Sequence, residues 1–238
     1  MRAARGRLKP WALVPIKESS LAKQRLSAFL CPQWREALFA AMIADVFATL
    51  AACTSLKGFA VVTVDPSAQK LAHQHGGLVI QTGARSGYNE AVRLGTRELV
   101  ERHAADAVLT LPMDVPLITT RDIEDIISAP EYSLGGFTLV PSRDFRGTNA
   151  TLSSPPGCVG FRFGDDSFAA HLKSAKAVGI RPFIVNLSNV ALDIDYPEDV
   201  RRLLAIPRET RTHAVLADAR FDPGAFRTPV LHEARAAR

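Results

Sequence analysis

The sequence predicts an α/β fold on a mostly parallel, doubly wound sheet, and three observations predict it. Short apolar runs alternate with amphipathic stretches of helical length from Trp11 to Ser128, the order in which strands and crossover helices build such a sheet. The runs end abruptly at carboxylates and prolines, most clearly in Val108-Leu109-Thr110-Leu111-Pro112-Met113-Asp114-Val115-Pro116-Leu117, as buried strands do where they reach a sheet's edge. The chain has 238 residues, 47% of them apolar, enough for one large α/β domain or two small ones.

Taken in order, Trp11-Ala12-Leu13-Val14-Pro15 is the first strand, and Ile16 to Ser20 a polar loop. Leu21 to Leu26 fits either a short helix or an irregular loop. Pro32 opens a long helix, with Leu38, Met42 and Val46 on one stripe and Phe39, Ile43, Phe47 and Leu50 beside it; that spacing faces a core. Gly58 to Val64 is a second strand ending at Asp65-Pro66, and a short helix covers Ser67 to His75. Leu78-Val79-Ile80 is a third strand. A polar loop, Gln81 to Gly87, leads to a helix from Tyr88 to Arg102 with Ala91, Val92, Leu94, Leu99 and Val100 apolar. The strand at Val108 follows, then a helix from Thr120 to Ser128 capped by Thr119 or Thr120.

Beyond it the pattern loosens. Phe137 to Val140 reads as a strand, Phe145 to Gly157 as a loop rich in Gly, Thr, Ser, Asn and Pro, and Val159 to Phe163 as another strand. Ser167 to Val178 reads as a helix, Pro182 to Val185 as a strand, and Leu192 to Val200 as a strand edge running into a last helix. Residues 1–10 form a basic tail, 11–206 a single domain, and 207–238, rich in Arg and Ala, a loosely attached tail or an oligomer contact such as a homodimer would use.

Composition narrows the function. No run reaches the ~18–20 apolar residues of a membrane span, and no apolar segment follows the basic N-terminus as in a signal peptide. Cys31, Cys53 and Cys158 are scattered and odd in number, which fits neither a disulfide framework nor a zinc site and suits a cytoplasmic protein. The net charge of +5 owes much to Arg2, Arg5, Arg7 and Lys9, and no aromatic residues interleave with basic ones, so nucleic acid is not the expected partner. A phosphorylated small molecule suits the mild excess. No Walker-type loop, Gly-x-Gly-x-x-Gly fingerprint or Gly-x-Ser-x-Gly elbow occurs.

Three clusters of chemically capable groups lie at predicted strand ends. Lys17, Lys23 and Arg25 follow the first strand and suit a polyphosphate, although Lys23 and Arg25 would diverge on a helix. Asp114 sits between two prolines on a stiff backbone, as a metal ligand should; a cap for the following turn fits the same stretch. Asp193 and Asp195, two apart, would point the same way in an extended segment, and one of them could instead cap the final helix. Carboxylates from two strand ends facing cations from a third make a site for Mg²⁺ and phosphate. His73 and His75 do not share a helical face. His171, on a predicted helix, either reaches a phosphate or lies on the surface.

Six segments, in order, resemble the CofC/FbiD family of guanylyltransferases of coenzyme F-420 biosynthesis: Val14-Pro15-Ile16-Lys17 with Ala22-Lys23-Gln24-Arg25-Leu26; Tyr88-Asn89-Glu90-Ala91; Leu111 to Leu117; Arg146-Gly147-Thr148-Asn149-Ala150-Thr151-Leu152; Arg162-Phe163-Gly164-Asp165-Asp166-Ser167-Phe168 with His171; and Leu192 to Val200. The chain departs in having Tyr196 for the usual Thr and Val115 for Leu. The resemblance implies a Rossmann-like nucleotidyltransferase fold, similar to the molybdopterin guanylyltransferases. It implies that GTP and 2-phospho-L-lactate, phosphoenolpyruvate or 3-phospho-D-glycerate react with release of pyrophosphate, the product passing to a downstream transferase. On this likeness Lys17, Lys23, Arg25 and Asp114 are catalytic, and with Asn89 they bind the nucleotide. Thr148, Asn149, Ala150, Gly164 and Ser167 meet the acid. Asp114 and Asp193 hold two Mg²⁺ ions, with Asp195 close by.

The chemistry agrees with the residues: a phosphomonoester oxygen is largely ionised near neutral pH, so no strong base is required and none is visible. Competing expectations are a molybdopterin or sugar-phosphate nucleotidyltransferase, whose opening loop is usually glycine-rich whereas Ile16 to Leu26 has no glycine, and a non-catalytic nucleotide-binding domain.

Overall fold

The computed structural model describes residues 9–16, 24–81, 87–128 and 136–218. These contain strands β1 (Trp11–Pro15), β2 (Gly58–Val62), β3 (Leu78–Ile80), β4 (Val108–Thr110), β5 (Gly136–Pro141), β6 (Thr148–Ser154) and β7 (Phe183–Ile184). The helices are α1 (Pro32–Ala52), α2 (Pro66–Gln74), α3 (Tyr88–His103), α4 (Thr120–Ile127), α5 (Ser167–Ala177), α6 (Ser188–Ala191), α7 (Pro197–Leu204) and α8 (Arg211–Leu216). The strands form one sheet in the order β3-β2-β1-β4-β6-β5-β7. β6 is antiparallel to both its neighbours, while the other pairings are parallel. The mostly parallel α/β sheet expected from the sequence is present.

Helices cover both faces. On one, Phe39, Ile43 and Phe47 of α1 and Ile123 and Ile126 of α4 bury against Val14, Val61, Leu109 and Leu152. On the other, Val92 and Leu99 of α3 bury against Leu13, Ala60, Val62 and Val108. Gly95 allows that contact: a Cβ there would lie 2.6 Å from both Leu13 and Val62, which repays the ~1 kcal/mol that a mid-helix glycine costs. α5 covers the far end of the same face through Ala175, Phe137, Leu139 and Val159. Thr119 caps α4 in a capping box with Asp122.

Four expectations are corrected. The loop expected from Phe145 to Gly157 contains β6, buried along its whole length between β4 and β5; its backbone groups are paired in ladders on both sides, and threonine suits a pleated surface. The strand expected at Val159 to Phe163 is an irregular strap. Its alternating residues do pack inward, but side chains replace the ladder: Asn89 bonds the Phe163 backbone and His171 the Arg162 N–H. Leu192 to Tyr196 is extended without being a strand. The packed chain also continues past Pro207, because α8 docks on α1, where buried Asp45 accepts from Arg211 N, Thr212 N and Thr212 Oγ1 at 3.0, 2.8 and 2.7 Å. Residues 219–238 and the tail 1–8 lie outside the described residues.

Candidate active site

The site is built at the carboxyl end of β4 and the adjoining start of β6, at the sheet edge where ligands settle in open α/β sheets. Past β4, Leu111, Val115 and Leu117 are buried and hold Asp114 between them. The Leu192–Asp195 segment alternates strictly: Leu192 and Ile194 are buried in a cluster with Leu117, Leu26 and Val200, while Asp193 and Asp195 point the other way, partly accessible. Each buried aliphatic contributes about 1.5–3 kcal/mol, so the core fixes which way the acids face. The Ile194 N–H donates to the Asp114 carbonyl at 3.0 Å and ties the two segments together.

Asp114 and Asp193 therefore meet. Burial and then the Asp114 charge push the Asp193 carboxyl up to about 6. Asn149 holds Asp193: its amide nitrogen donates to Asp193 Oδ1 at 3.0 Å and to the Val190 carbonyl at 2.9 Å. Both amide hydrogens are thereby used, and they orient the Asp193 carboxylate. Asp195 pairs with Arg25 at 2.9 Å, and the Arg25 guanidinium lies over the Tyr196 ring, 4.8 Å from its centroid. Among the described residues no group of three His, Cys, Asp or Glu side chains is arranged to hold a metal ion, while the charges of both Asp114 and Asp195 act on Asp193. Lys17 and Lys23 lie outside the described residues.

A β-bulge connects this cluster to a second one. Val140 pairs with Ala150 but Pro141 pairs with Thr148, leaving Asn149 as an extra residue in β6. A bulge re-aims side chains. Here Asn149 turns toward α6 and Asp193, while Thr148 turns to α5. The Thr148 N–H donates to Ser167 Oγ at 2.9 Å, and Thr148 Oγ1 lies 3.1 Å from His171 Nδ1. Ala150, expected at the acid, is instead buried in the apolar cluster under the sheet and packs there.

The strap turns sharply where it meets the Thr148–Ser167 pair. Gly164 has φ +134 and Asp166 φ +49, conformations that turn the strap sharply into α5, and Asp166 caps α5 without a side-chain hydrogen bond. The Phe168 N–H donates to the Arg146 carbonyl at 3.0 Å, docking the β5–β6 turn on the helix. In that turn Ser142 Oγ accepts from the Gly147 N–H at 2.7 Å. Asn89, expected beside the nucleotide, holds the strap through both backbone groups of one residue: its Nδ2 donates to Phe163 O and its Oδ1 accepts from Phe163 N, each at 2.8 Å.

The sequence does not single out Tyr88 as a site residue, and it leaves another, His171, between a phosphate and the surface. Burial and the Asp114 charge raise the Tyr88 hydroxyl's pKa, and the Tyr88 ring packs edge-on against Phe163 at 5.1 Å; only its place one residue before Asn89 hinted at this. His171 is buried, not on the surface, and burial brings its pKa down to about 4.

Known proteins resemble this chain in sequence and in fold. A structure from Desulfovibrio desulfuricans G20, named for the nucleotide-diphospho-sugar transferases, superposes with a TM-score of 0.72 over 92% of this chain and 97% of its own, at 15% identity; the likeness is one of fold. A phosphoenolpyruvate guanylyltransferase from Rubrobacter xylanophilus is 37% identical over 199 residues, 82% of this chain and 93% of its own. A 3-phospho-D-glycerate guanylyltransferase from Phenylobacterium zucineum is 30% identical over 218 residues, 87% of this chain and 95% of its own. The family model described as "Guanylyl transferase CofC like" matches residues 11–235, and the chain belongs to that family.

Proposed function

We propose that this protein transfers a guanylyl group from GTP to the phosphate of a three-carbon phospho-acid, with release of pyrophosphate, as a step of coenzyme F-420 biosynthesis. One observation carries the reading. The adjacent residues Thr148 and Asn149 face opposite ways across a bulge, one into a hydroxyl-lined cradle and the other onto the Asp193–Asp114 carboxylates. A phospho-acid held by the cradle would lie next to a cation held by the carboxylates.

The donor set fits a divalent cation. Two carboxylates, the Asp114 charge raising the proton affinity of Asp193, form an all-oxygen site suited to Mg²⁺, which takes one or two carboxylates and completes its shell with phosphate oxygens and water. Bound there, one or two Mg²⁺ ions would neutralise charge on the α-phosphate and on the leaving pyrophosphate. The rest falls to the chain. Thr148, Ser167 and the turn at Gly164 grip the acid. Lys17, Lys23 and Arg25 meet the triphosphate, and Asn89 fixes the strap at the boundary between the two reactants. A phosphate oxygen of the acid attacks the α-phosphorus of GTP, the bond from that phosphorus to the bridging oxygen breaks, and pyrophosphate leaves with the electron pair. Holding both anions in line does most of the work.

The names of the relatives divide between acids, so the acid is open. The test is pyrophosphate release by the purified protein with Mg²⁺, GTP, ATP or CTP, and each of phosphoenolpyruvate, 2-phospho-L-lactate and 3-phospho-D-glycerate, the downstream transferase trapping an unstable product. GTP with one of the acids is expected to outperform every other combination. A preference for CTP, or no release with any acid, would overturn the reading.

A further inference from the structure

His171 lies one turn beyond Ser167 on α5, buried, with Phe163 edge-on to its ring at 4.8 Å and Phe137 at 6.0 Å. Its two nitrogens have different partners. Nε2 lies 3.0 Å from the Arg162 backbone nitrogen, a group that can only donate, so Nε2 carries no proton. A neutral ring must then carry its proton on Nδ1. The apolar surroundings keep the ring neutral, with its pKa down to about 4.

Nδ1 lies 3.1 Å from Thr148 Oγ1. With the proton on nitrogen, the hydroxyl is the acceptor of that bond and its own hydrogen is left to donate. Ser167 is set in the same sense, since its Oγ accepts from the Thr148 N–H at 2.9 Å. Among the described residues neither hydroxyl has an acceptor in place for its own hydrogen. Two hydroxyls with one polarity form a cradle that recognises oxyanions and not groups that donate.

We propose that His171 is a positioning residue for the acid substrate: it fixes the Thr148 hydroxyl as a donor to a carboxylate or phosphate oxygen, and through Arg162 it holds the strap that closes the cradle. The proposal rests on the guanylyltransferase reading above.

Two substitutions separate the halves of this role. His171→Asn places an N–H near the position of Nδ1 and gives up the Arg162 contact. His171→Gln places a carbonyl near Nε2 and gives up the donor to Thr148. In His171→Gln the KM for the phospho-acid is expected to rise about tenfold, the loss of one hydrogen bond to a charged group, with the KM for GTP unchanged. His171→Asn should stay closer to the wild type in acid KM. In a Thr148→Val background His171→Gln should add nothing further, because the residue acts through that hydroxyl. Additive effects, or equal rises in KM for GTP and acid, would overturn the proposal. Independently, ¹⁵N-histidine NMR of the wild-type chain should show a neutral Nδ1–H ring at pH 6; an Nε2–H or doubly protonated ring would also overturn it. Wild-type protein inactive with every acid would sink the guanylyltransferase reading instead, and the NMR result would still decide the ring's tautomer.

Discussion

At the scale of single residues, Asp193 carries the sharpest conflict between stability and function. Its carboxyl is raised from 3.8 to about 6 by burial and by Asp114. Below pH 3.8 it is protonated in both the folded and unfolded chains. As pH rises toward 6 the unfolded chain releases its proton first, so the folded state loses stability across that window and stays lower above it. His171 acts in the opposite sense. Its ring is lowered from 6.5 to about 4, so its contribution is fully present above 6.5 and is lost as pH falls toward 4. The two windows overlap and offset one another. Asp193→Asn, without divalent cation, is therefore expected to be about 2 kcal/mol more stable than wild type at pH 7.5. Its stability should also climb with pH between 4 and 6.5, where the wild type stays flatter. Urea denaturation across that range checks both, alongside loss of pyrophosphate release; a variant less stable at pH 7.5 would contradict the burial of a charged Asp193.

At the scale of elements, what could be read from sequence followed local pattern. The i, i+4 stripe of α1, the abrupt end of β4 and the alternation of Leu192 and Ile194 with Asp193 and Asp195 are visible in the chain because each is set by near neighbours. β6 was hidden because Thr, Ser and Asn make up most of it, a composition shared with loops; its burial comes from strands on both sides and not from its own apolarity. The strap at Val159–Phe163 shows the converse, a strand-like alternation whose backbone partners are side chains of α3 and α5. α8 carries a local cap, Thr210, whose hydroxyl accepts from the His213 N–H, but the partner that docks it, Asp45, is 166 residues away from Arg211. That partner gives a prediction. Asp45→Ala leaves the Arg211 and Thr212 N–H groups without their acceptor and should cost roughly 2 kcal/mol in urea denaturation, with the KM for GTP and acid unchanged. A neutral outcome would mean that α8 is held by Leu216 packing alone.

At the scale of the whole molecule, the sheet order places β4 at the centre with β1 on one side and β6 on the other. This is why residues so far apart in sequence meet: β4 delivers Asp114, β6 delivers Thr148 and Asn149, and the chain returning after α6 lays Asp193 beside them. The convergence of Asp114 and Asp193 was legible as a wager on strand ends. The division of labour between Thr148 and Asn149 was not, since it depends on a one-residue bulge that no local signal marks. If the two carboxylates hold the cation that brings the reactants together, their loss must show in cation binding before it shows in rate. Titrating Mn²⁺ into the GTP-bound protein, followed by electron paramagnetic resonance, measures this directly. The wild type is expected to bind Mn²⁺, Asp114→Asn and Asp193→Asn each to bind at least roughly tenfold more weakly, and Thr148→Val to bind as the wild type does. Unchanged Mn²⁺ affinity in both carboxylate variants would contradict the account.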